Sequence, residues 1–385
     1  MNTKSSCGGV FRGENMKLLY CIYDHISNPW VGGGGAVRAY EICNRLALRG
    51  HEITIVCGRF PGAEDYNEGN LAFKFRGSDL NYALSTFSFA LEAAIFVKRE
   101  SKRFDIIIED FAPWNPIFST LLTTRPVVLH VNHREGTGIL RRWWFFGIPF
   151  YLIEKWYPRL FRNVTALSEE TRRKFNIQGA AIVPAGITGS IILVSAPSRE
   201  QNNHETFVLY IGRLHVKNKG IDVLLSSIKI IGERLVLAGR GKDEHRLKEM
   251  TKRLGLAKVE FAGFITEEEK IALLRKDCIL VLPSRFEGWG IVVLEAAAFG
   301  RPVIVSDIPE LRYAVDGGFG LSFKTGDAGD LAEKIQVLLD NEPLRKEMGL
   351  RALEYAGNFT WDEIAERYEK FLQDIVSQRK KPLSG

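Results

Sequence analysis

The sequence predicts an α/β protein built from two doubly wound, parallel-sheet domains of comparable size. Short apolar runs rich in Val, Ile and Leu recur along the 385 residues, and they alternate with amphipathic segments of helical length. Strands with so few polar residues are typical of parallel sheets that helices cover on both faces. A stretch rich in Gly, Ser and Asn at 185–206 separates the two series and predicts a linker.

The first series follows a polar segment, 1–15, which has no apolar run and is predicted to be a disordered tail. Met16 directly precedes the first predicted strand and is an alternative to Met1 as the start of translation. Apolar, β-branched runs predict strands, and the 3.6-residue pattern predicts helices. The predicted strands are 17–22, 52–57, 105–109, 126–131, 163–167 and 180–183, and the predicted helices are 36–49 and 80–102.

The second series repeats the same alternation and ends in a separate helix. Thr360, with Glu363 three residues later, is typical of a capping box, so 360–379 is predicted to be a terminal helix. The predicted strands are 207–211, 234–238, 258–262, 278–282 and 302–305. The predicted helices before the last one are 220–231, 242–254, 267–275, 291–299, 328–340 and 343–356.

Composition excludes several classes of function. The net charge of +6 is weak and no Lys/Arg tract occurs, so a nucleic-acid partner is not expected. Five cysteines without CxxC spacing argue against a disulfide framework or a zinc site and favour a reducing cytoplasm. Residues 1–15 lack the apolar region of a secretory signal, and no apolar run approaches the roughly 18–20 residues of a spanning helix.

A glycine-rich loop, "VGGGGAVR" at 31–38, lies between the first strand and the first helix. Glycines let backbone N–H groups approach a phosphate or a sugar, although a flexible loop without a ligand would show the same pattern. A nicotinamide-binding fingerprint would need a third glycine at Val37 and an acid at the end of the next strand, near Cys57. Neither is present, so dinucleotide binding is disfavoured.

Two cations follow the first strand of the second series in "GRLHVKNKG". Arg213 and Lys219 would lie at the carboxyl edge of a parallel sheet, where a guanidinium fork and an ammonium group suit a diphosphate. The alternative is that both are solvated loop charges. Gly239, in the next strand–helix turn, allows close approach of a ligand but is a weak signal alone.

The most informative stretch is "RFEGWGIVVLEAAAFG" at 285–300, which contains two carboxylates. Glu287 lies in a glycine-bracketed turn, and Glu295 lies in an otherwise apolar helix, where a lone carboxylate is costly. A ligand-facing position would explain both residues, with Glu295 binding hydroxyl groups and needing no cation. The alternative is that Glu295 is a buried, paired structural residue.

Taken together, these motifs resemble those of the retaining glycosyltransferases of family 4, which have the GT-B architecture. "EGWGIVVLE" resembles the E-x7-E motif of that family, and "GRLHVKNKG" is similar to its diphosphate loop. Three further segments resemble parts of the same family. They are the N-terminal glycine loop with its helix and strand, "GGGGAVRAYEICNRLALRGHEITIV", a strand with a serine shortly after it, "NVTALSEETRRKF", and the terminal segment, "FTWDEIAERY". The set spans roughly residues 16–375 in the order expected for the family.

The resemblance implies two Rossmann-like domains that face each other across a cleft. The N-terminal one, 16–195, would bind the acceptor, and the C-terminal one, 205–358, would bind the nucleotide sugar. The terminal segment, 359–385, would cross back to the N-terminal domain. The donor would be a UDP-, GDP- or ADP-sugar, with no other cofactor.

The resemblance also assigns roles to the charged residues. Arg213 and Lys219 would hold the diphosphate, Glu287 would bind hydroxyls of the donor sugar, and Glu295 would hold the ribose hydroxyls. Glu287 would be helped by the backbone of the turn that follows it, and the turn residues are Gly288, Trp289, Gly290 and Ile291.

Further positions follow from the same resemblance. Gly33 and Gly34 match the glycine pair of the N-terminal loop, while Phe264 and Ile265 fall where the backbone meets the nucleotide base. A histidine that points at the reacting sugar is expected after the fourth strand. His133, which lies beyond the strand, is the preferred candidate over His130, which lies within it.

The implied reaction is transfer of a hexose from a nucleoside-diphosphate sugar to an acceptor hydroxyl with retention of configuration. No D-x-D motif occurs, so a catalytic metal is not expected. Two alternatives are a nucleotide-sugar epimerase or hydrolase on the same fold, and a non-catalytic sugar-nucleotide-binding protein. The acceptor would be a glycan or a lipid-linked sugar.

Residues 141–161 bear on the acceptor. This segment interleaves Trp, Phe and Tyr with Arg and Lys, a composition that suits a membrane interface, although an ordinary buried helix and loop would also fit. The interface hypothesis predicts a cytoplasmic protein that lies peripherally on the inner face of the cell membrane and contacts anionic lipid.

Overall fold

The computed structural model describes residues 15–31, 33–187 and 206–380. These residues form two compact units. Of the described residues, the first unit contains 15–31, 33–131, 135–165 and 365–380, and the second contains 132–134, 166–187 and 206–364. The predicted tail and the predicted linker fall mostly outside the described residues, so both stay predictions, as do the domain boundaries and the start of translation.

The larger sheet has eight strands in the order β3-β4-β2-β1-β5-β6-β7-β8. Pairing is parallel from β4 through β2, β1 and β5 to β6, and β3 runs antiparallel to β4. The strands are β1 (Lys17–Cys21), β2 (Glu52–Gly58), β3 (Tyr66–Glu68), β4 (Leu71–Arg76), β5 (Ile106–Phe111), β6 (Val127–Val131), β7 (Asn163–Ala166) and β8 (Ala181–Ile182).

Four short helices of this part of the chain were not predicted, and the two predicted ones, 36–49 and 80–102, begin within two residues of the predicted positions. Asn81 begins the second one, because its side chain accepts a hydrogen bond from the Leu84 N–H at 3.0 Å. The helices are α1 (Gly34–Leu48), α2 (Tyr82–Glu100), α3 (Ser119–Leu122), α4 (Thr137–Trp143), α5 (Ile148–Trp156) and α6 (Glu169–Phe175).

The second sheet has six strands in the order β11-β10-β9-β12-β13-β14, and every pair is parallel. This order is that of a doubly wound nucleotide-binding sheet, in which the chain reverses direction between the first and fourth strands. The strands are β9 (Phe207–Ile211), β10 (Leu235–Ala238), β11 (Val259–Gly263), β12 (Cys278–Leu282), β13 (Val303–Ser306) and β14 (Gly320–Phe323).

One predicted helix of the second series, 220–231, begins at Ile221 and is preceded by a short helix, Val216–Lys219, that was not predicted. Gly220 has φ +63°, which ends a short turn and begins the next helix. The helices are α7 (Val216–Lys219), α8 (Ile221–Ile231), α9 (Glu244–Leu254), α10 (Glu267–Arg275), α11 (Ile291–Ala298), α12 (Arg312–Asp316), α13 (Ala328–Asp340), α14 (Glu342–Ala356) and α15 (Trp361–Lys380).

The terminal helix α15 begins as the sequence predicts. The Glu363 N–H donates to Oγ1 of Thr360 at 3.2 Å. From Ala365 onward the helix groups with the first unit, where Glu369 accepts hydrogen bonds from Arg49 at 2.8 Å and from His51 at 3.0 Å. These contacts fix the helix to the loop between α1 and β2.

The predicted α/β class with two parallel-sheet units is confirmed. Three strands were missed, for identifiable reasons. In β4, buried and partly buried residues alternate along the strand. Strand β3 is fully exposed and forms only because it pairs with β4. Strand β14 is a short segment with the sequence "GLSF". None of the three resembles the continuous apolar runs that predicted the other strands.

Candidate active site

The candidate site lies at the carboxyl edge of the second sheet, at the reversal point between β9 and β12. Ligands of doubly wound sheets bind there because the loops after these two strands diverge and leave a crevice. Arg213 follows β9, and the turn that carries Glu287 follows β12. The structure therefore brings together two motifs that are more than seventy residues apart in the chain.

Lys219 and Glu287 form an ion pair at this edge. The Lys219 Nζ lies 2.5 Å from Oε2 of Glu287, and the two side chains are 18% and 13% exposed. The same Oε2 accepts a hydrogen bond from the Ser284 hydroxyl at 3.1 Å. A charged pair that remains partly accessible to solvent can exchange partners with a charged ligand without breaking the fold.

Backbone contacts set the distance between these two side chains. The N–H groups of Arg285 and Phe286 both donate to the carbonyl of Asn218, at 2.8 and 3.1 Å. Gly220 is required for this approach, because a Cβ there would lie 2.0 Å from the Pro283 carbonyl oxygen. Arg285 adds a two-armed ion pair with Asp222, at 2.9 and 2.8 Å.

The turn after Glu287 leads into helix α11. Gly290 has φ +72°, and a Cβ there would lie 2.8 Å from Leu311, so only glycine fits. The indole of Trp289 stacks on Tyr313 with ring centres 4.8 Å apart, and the Tyr313 hydroxyl donates to the Gly290 carbonyl at 3.2 Å. Trp289 thus packs on the core and orients the backbone of Gly288–Ile291 at the start of the helix.

Glu295 lies in the second turn of α11 and is paired, contrary to expectation. The Lys270 Nζ of helix α10 lies 2.6 Å from Oε1 of Glu295, and the side chains are 12% and 15% exposed. The expectation that Glu295 needs no cation is therefore wrong. Burial raises the pKa of Glu295 above its usual value, and the nearby Lys270 charge offsets part of that rise.

Lys270 was missed by sequence reasoning. It lies in the first turns of α10 and also pairs with Glu267 at 2.8 Å. Burial alone would lower the pKa of Lys270, but the two carboxylates raise it above its usual value, so it stays charged. A pairing of this kind is also what a purely structural Glu295 would require, so the ligand role of Glu295 stays a prediction.

Glycines end three neighbouring strands at the same edge of the sheet. Gly212, Gly239 and Gly263 follow or end β9, β10 and β11 with positive φ angles of 155°, 138° and 72°. A Cβ on Gly239 would lie 1.9 Å from the Gly212 carbonyl oxygen, so packing alone already demands glycine there. Phe264, exposed, and Ile265, partly buried, follow β11 at this edge.

Arg213 extends from the end of β9 as an exposed side chain. Its carbonyl oxygen accepts a hydrogen bond from the Tyr210 hydroxyl at 2.9 Å, which anchors the loop backbone without using the guanidinium. The site therefore presents an exposed cation at the same edge of the sheet as the Lys219–Glu287 pair. Its predicted role toward a diphosphate stays a prediction.

The two candidate histidines have different surroundings. His130 is buried in β6, and its Nδ1 lies 2.8 Å from the Thr165 hydroxyl, which is the environment of a strand histidine. His133 belongs to the segment Asn132–Arg134, which groups with the second unit. Its ring lies edge-on to Phe286 with ring centres 5.2 Å apart, next in sequence to Glu287.

The glycine loop of the first unit begins helix α1. Gly33 is the residue before the helix, in an extended conformation, and Gly34 is the first helical residue. A Cβ on the following Gly35 would lie 3.5 Å from a carboxylate oxygen of Asp24, so the first turn of α1 passes close to the segment that follows β1. Within the described residues, no group of three or more His, Cys, Asp and Glu side chains could hold a metal ion.

Two known families match most of the chain between them. Residues 32–187 match the family described as Glycosyltransferase Family 4, and residues 195–355 match the family described as Glycosyl transferases group 1. A glycogen synthase from Mycobacterium tuberculosis is 32% identical over 91% of this chain and 92% of its own length. A phosphatidyl-myo-inositol mannosyltransferase from Mycobacterium leprae is 29% identical over 71% of this chain and 74% of its own length.

Other comparisons are partial or structural. Matches to three further curated glycosyltransferases, at 31–33% identity, span only 43–48% of the length of those relatives. Among solved structures, a sucrose-phosphate synthase from Thermosynechococcus elongatus superposes with a TM-score of 0.80, covering 94% of this chain and 100% of that one. Its 18% identity makes this a likeness of fold alone.

Proposed function

Because this chain belongs to the glycosyltransferases of group 1 and family 4, we propose that it transfers a hexose from a nucleoside-diphosphate sugar to an acceptor hydroxyl with retention of configuration. The observation that supports this most is the Lys219–Glu287 ion pair at the reversal point of a doubly wound sheet. It supplies a cation for a diphosphate and a carboxylate for sugar hydroxyls within one hydrogen-bond length.

In the proposed complex, Lys219 exchanges partners. Without ligand its charge is balanced by Glu287, and with donor it would turn to the diphosphate, together with the Arg213 guanidinium. Glu287 would then accept hydrogen bonds from the donor sugar. Cations fixed beside the leaving group stabilise the negative charge that develops on it, which is usually the largest electrostatic contribution to catalysis.

The bond changes balance without an enzyme nucleophile. The bond from C1 of the sugar to the diphosphate oxygen breaks, and a bond from C1 to the acceptor oxygen forms on the same face. The acceptor proton passes to the departing diphosphate. His133, beside Phe286, would lie close to the sugar in this arrangement, and Glu295 would hold the ribose at the other end of the donor.

We propose that the acceptor is lipid-linked and that residues 141–161 contact the membrane that carries it. The name of one relative includes a phosphatidylinositol acceptor. In this segment Trp143, Trp144, Phe146 and Trp156 are each at least half exposed, which supports the interface hypothesis over an ordinary buried helix and loop. No helix among the described residues is long and apolar enough to cross a bilayer.

A panel of UDP-, GDP- and ADP-sugars tests the donor by thermal shift. A ligand that binds only the folded protein raises the melting temperature by mass action, and we expect one base to do so clearly more than the others. Lys219→Met should abolish the shift, while Glu347→Gln, which removes an exposed charge paired with Arg351, should not. If no sugar nucleotide shifts the melting temperature, the donor proposal is wrong.

The reaction itself is tested by product analysis. With the donor from the panel and a lipid-linked sugar acceptor, NMR of the product should show the same anomeric configuration as the donor. Inversion would overturn the retaining mechanism. Free hexose or an epimerised donor formed without acceptor would favour the epimerase or hydrolase alternative instead.

A further inference from the structure

Helix α2, Tyr82–Glu100, is apolar on two opposite faces. One face packs into the first unit through buried residues that include Phe89, Ala93 and Val97. A helix at the surface of a globular protein normally turns polar side chains outward. The outward face of α2 instead carries four large apolar side chains that are 41–65% exposed, namely Leu84, Phe87, Leu91 and Ile95.

This face continues into the aromatic segment discussed above. The ring of Phe87 lies 6.4 Å from that of Phe150 in α5, and Phe150 lies 4.8 Å from Trp114. Trp114 in turn lies 6.2 Å from Trp143, at the start of the exposed aromatic run 143–146. We call the combined region the apolar surface, defined by Leu84, Phe87, Leu91, Ile95, Trp144 and Trp156. An exposed apolar region of this extent indicates an interaction site.

Positive charge is concentrated around the apolar surface. Residues 80–103 and 137–162 together contain nine basic and three acidic residues, an excess of six that equals the net charge of the whole chain. One of the three acids, Glu154, is buried and accepts backbone hydrogen bonds from Glu135 and Gly136 at 2.7 and 2.8 Å. The remaining sequence is therefore neutral overall, so the excess of positive charge lies in the two sequence ranges that contain the apolar surface.

Basic side chains border the exposed apolar side chains, both on α2 and in the aromatic segment. On α2, positions 84, 87, 91, 95 and 98 follow one face at spacings of three and four residues, so exposed Lys98 continues the apolar stripe. In the aromatic segment, Trp156 lies between two cations, with Lys155 at 5.5 Å and Arg159 at 4.3 Å from its ring centre. Indole rings flanked by cations are typical of the boundary between lipid chains and head groups.

The charge decides between two occupants. A second copy of the chain would pair this surface with itself across a twofold axis, which would bring two regions of like charge together. A bilayer with anionic head groups would neutralise the same charge while its chains cover the apolar side chains. We propose that α2 and the segment 143–160 together dock the first unit on an anionic lipid surface. This inference rests on the membrane contact proposed above and extends it to α2.

Sedimentation with vesicles tests the proposal on the full chain. We expect binding to phosphatidylcholine vesicles that contain about one third phosphatidylglycerol, and at least about tenfold weaker binding to pure phosphatidylcholine. Binding should weaken as salt is raised, because screening reduces attraction between surface charges. Equal binding to both vesicle types, or no binding to either, would overturn the proposal.

A matched pair of variants isolates α2. Leu91→Gln with Ile95→Gln replaces two exposed apolar side chains of α2 and should weaken partitioning by at least about tenfold, since each buried methylene contributes about 0.8 kcal/mol and each side chain carries several such groups. The control is Ile230→Gln with Leu350→Gln, which changes two similarly exposed apolar residues of the second unit. The control should bind like the unaltered protein, and both variants should melt like it, because no buried side chain changes.

The outcomes separate this inference from the earlier proposals. If the α2 variant binds like the unaltered protein while Trp144→Ser does not bind, then α2 is not part of the docking surface and the contact of 141–161 stands alone. If the α2 variant instead changes a dimer into a monomer in light scattering, a second copy is the occupant and the proposal is wrong. The donor-induced melting shift should be unchanged in either variant, so failure at the membrane leaves the transferase proposal intact.

Discussion

Each of the two sheets has a charged pair at its reversal point, but the two pairs differ in how far they are exposed to solvent. At the reversal point of the second sheet, the Lys219–Glu287 pair is partly accessible, with side chains 18% and 13% exposed. At the reversal point of the first sheet, between β1 and β5, Arg38 and Asp110 are only 1% and 6% exposed, with 2.7 Å between them. The same topology thus supports an accessible pair in one sheet and a sealed pair in the other.

The sealed pair belongs to a buried polar group that supports the fold. The Arg38 guanidinium also donates to the Tyr20 hydroxyl at 2.9 Å, and that hydroxyl donates to Asp110 at 3.1 Å. Tyr368 of the terminal helix is buried near Arg38. A pair that is almost fully buried cannot exchange partners with a ligand, so we assign it a structural role and assign the ligand role to the accessible pair.

Removing the buried cation should have the largest effect on stability. Arg38→Met leaves the Asp110 carboxylate buried without its cation, and we expect a loss of about 3–5 kcal/mol in the free energy of unfolding. Chemical denaturation followed by circular dichroism measures it. The contrasting variant is Lys219→Met, whose loss should stay below about 1 kcal/mol because its pair is partly solvated.

The double variant Arg38→Met with Asp110→Asn provides the control for this prediction. It removes the unpaired charge as well as the cation, so part of the lost stability should return. If Arg38→Met and Lys219→Met destabilise the protein equally, then accessibility does not distinguish the two pairs and the comparison fails.

Glu287→Gln should have the largest effect on activity. The amide keeps the size of the side chain but loses the charge that pairs with Lys219 and two of the acceptor sites for sugar hydroxyls. We expect kcat/KM to fall about 100-fold, the scale of a lost polar contact to the transition state. Steady-state kinetics with the donor identified by thermal shift measures it. Glu347→Gln is the control, and full turnover by Glu287→Gln would remove the residue from the mechanism.

Lys270→Met should weaken donor binding in a way that depends on pH. The Lys270 charge lowers the pKa of Glu295 against the effect of burial, so its removal should raise that pKa further. Less of Glu295 is then ionised near neutral pH, and the donor KM should rise several-fold and recover as pH increases, with kcat little changed. Glu267→Gln, which removes only the outer partner of Lys270, is the control. A donor KM that rises equally at all pH values would mean that Lys270 acts by packing alone.

The sequence predicts the strands at this site better than it predicts the side-chain partners. Continuous apolar runs such as "CILVL" define β12 to the residue, because burial on both faces leaves a local signature. Lys270 and Arg285 were missed for the opposite reason. Lys270 acts across the contact between α10 and α11, and Arg285 acts on Asp222, 63 residues away. No local pattern specifies which faces of distant elements meet.

The same limit applies to the first unit. Arg38 and Asp110 are 72 residues apart, and neither is distinguished by its sequence neighbours from a surface residue. Their burial follows from the pairing of β1 with β5 and from the packing of α1 on that sheet. Tyr368, which lies in the terminal helix, is buried near them. Motif spacing could identify residues that share one turn or one helix, but it could not identify those that share only a fold.

The smallest expected effect concerns the attachment of the terminal helix. Burial alone would raise the pKa of Glu369, but the hydrogen bonds from Arg49 and His51 outweigh it, and the pKa lies below its usual value. A carboxylate with a lowered pKa in the folded state adds stability above its unfolded pKa, near 4.5, and that stability is lost as the pH falls through the folded value. Glu369→Gln should therefore lower the free energy of unfolding by about 1 kcal/mol at pH 7 and by almost nothing in strong acid.

Urea unfolding at several pH values measures this loss of stability, with Glu366→Gln on the exposed side of the same helix as the control. If both variants lose stability equally and at every pH, then the contact with Arg49 and His51 does not hold the helix, and the first unit retains α15 through the buried group around Arg38 and through its apolar face alone.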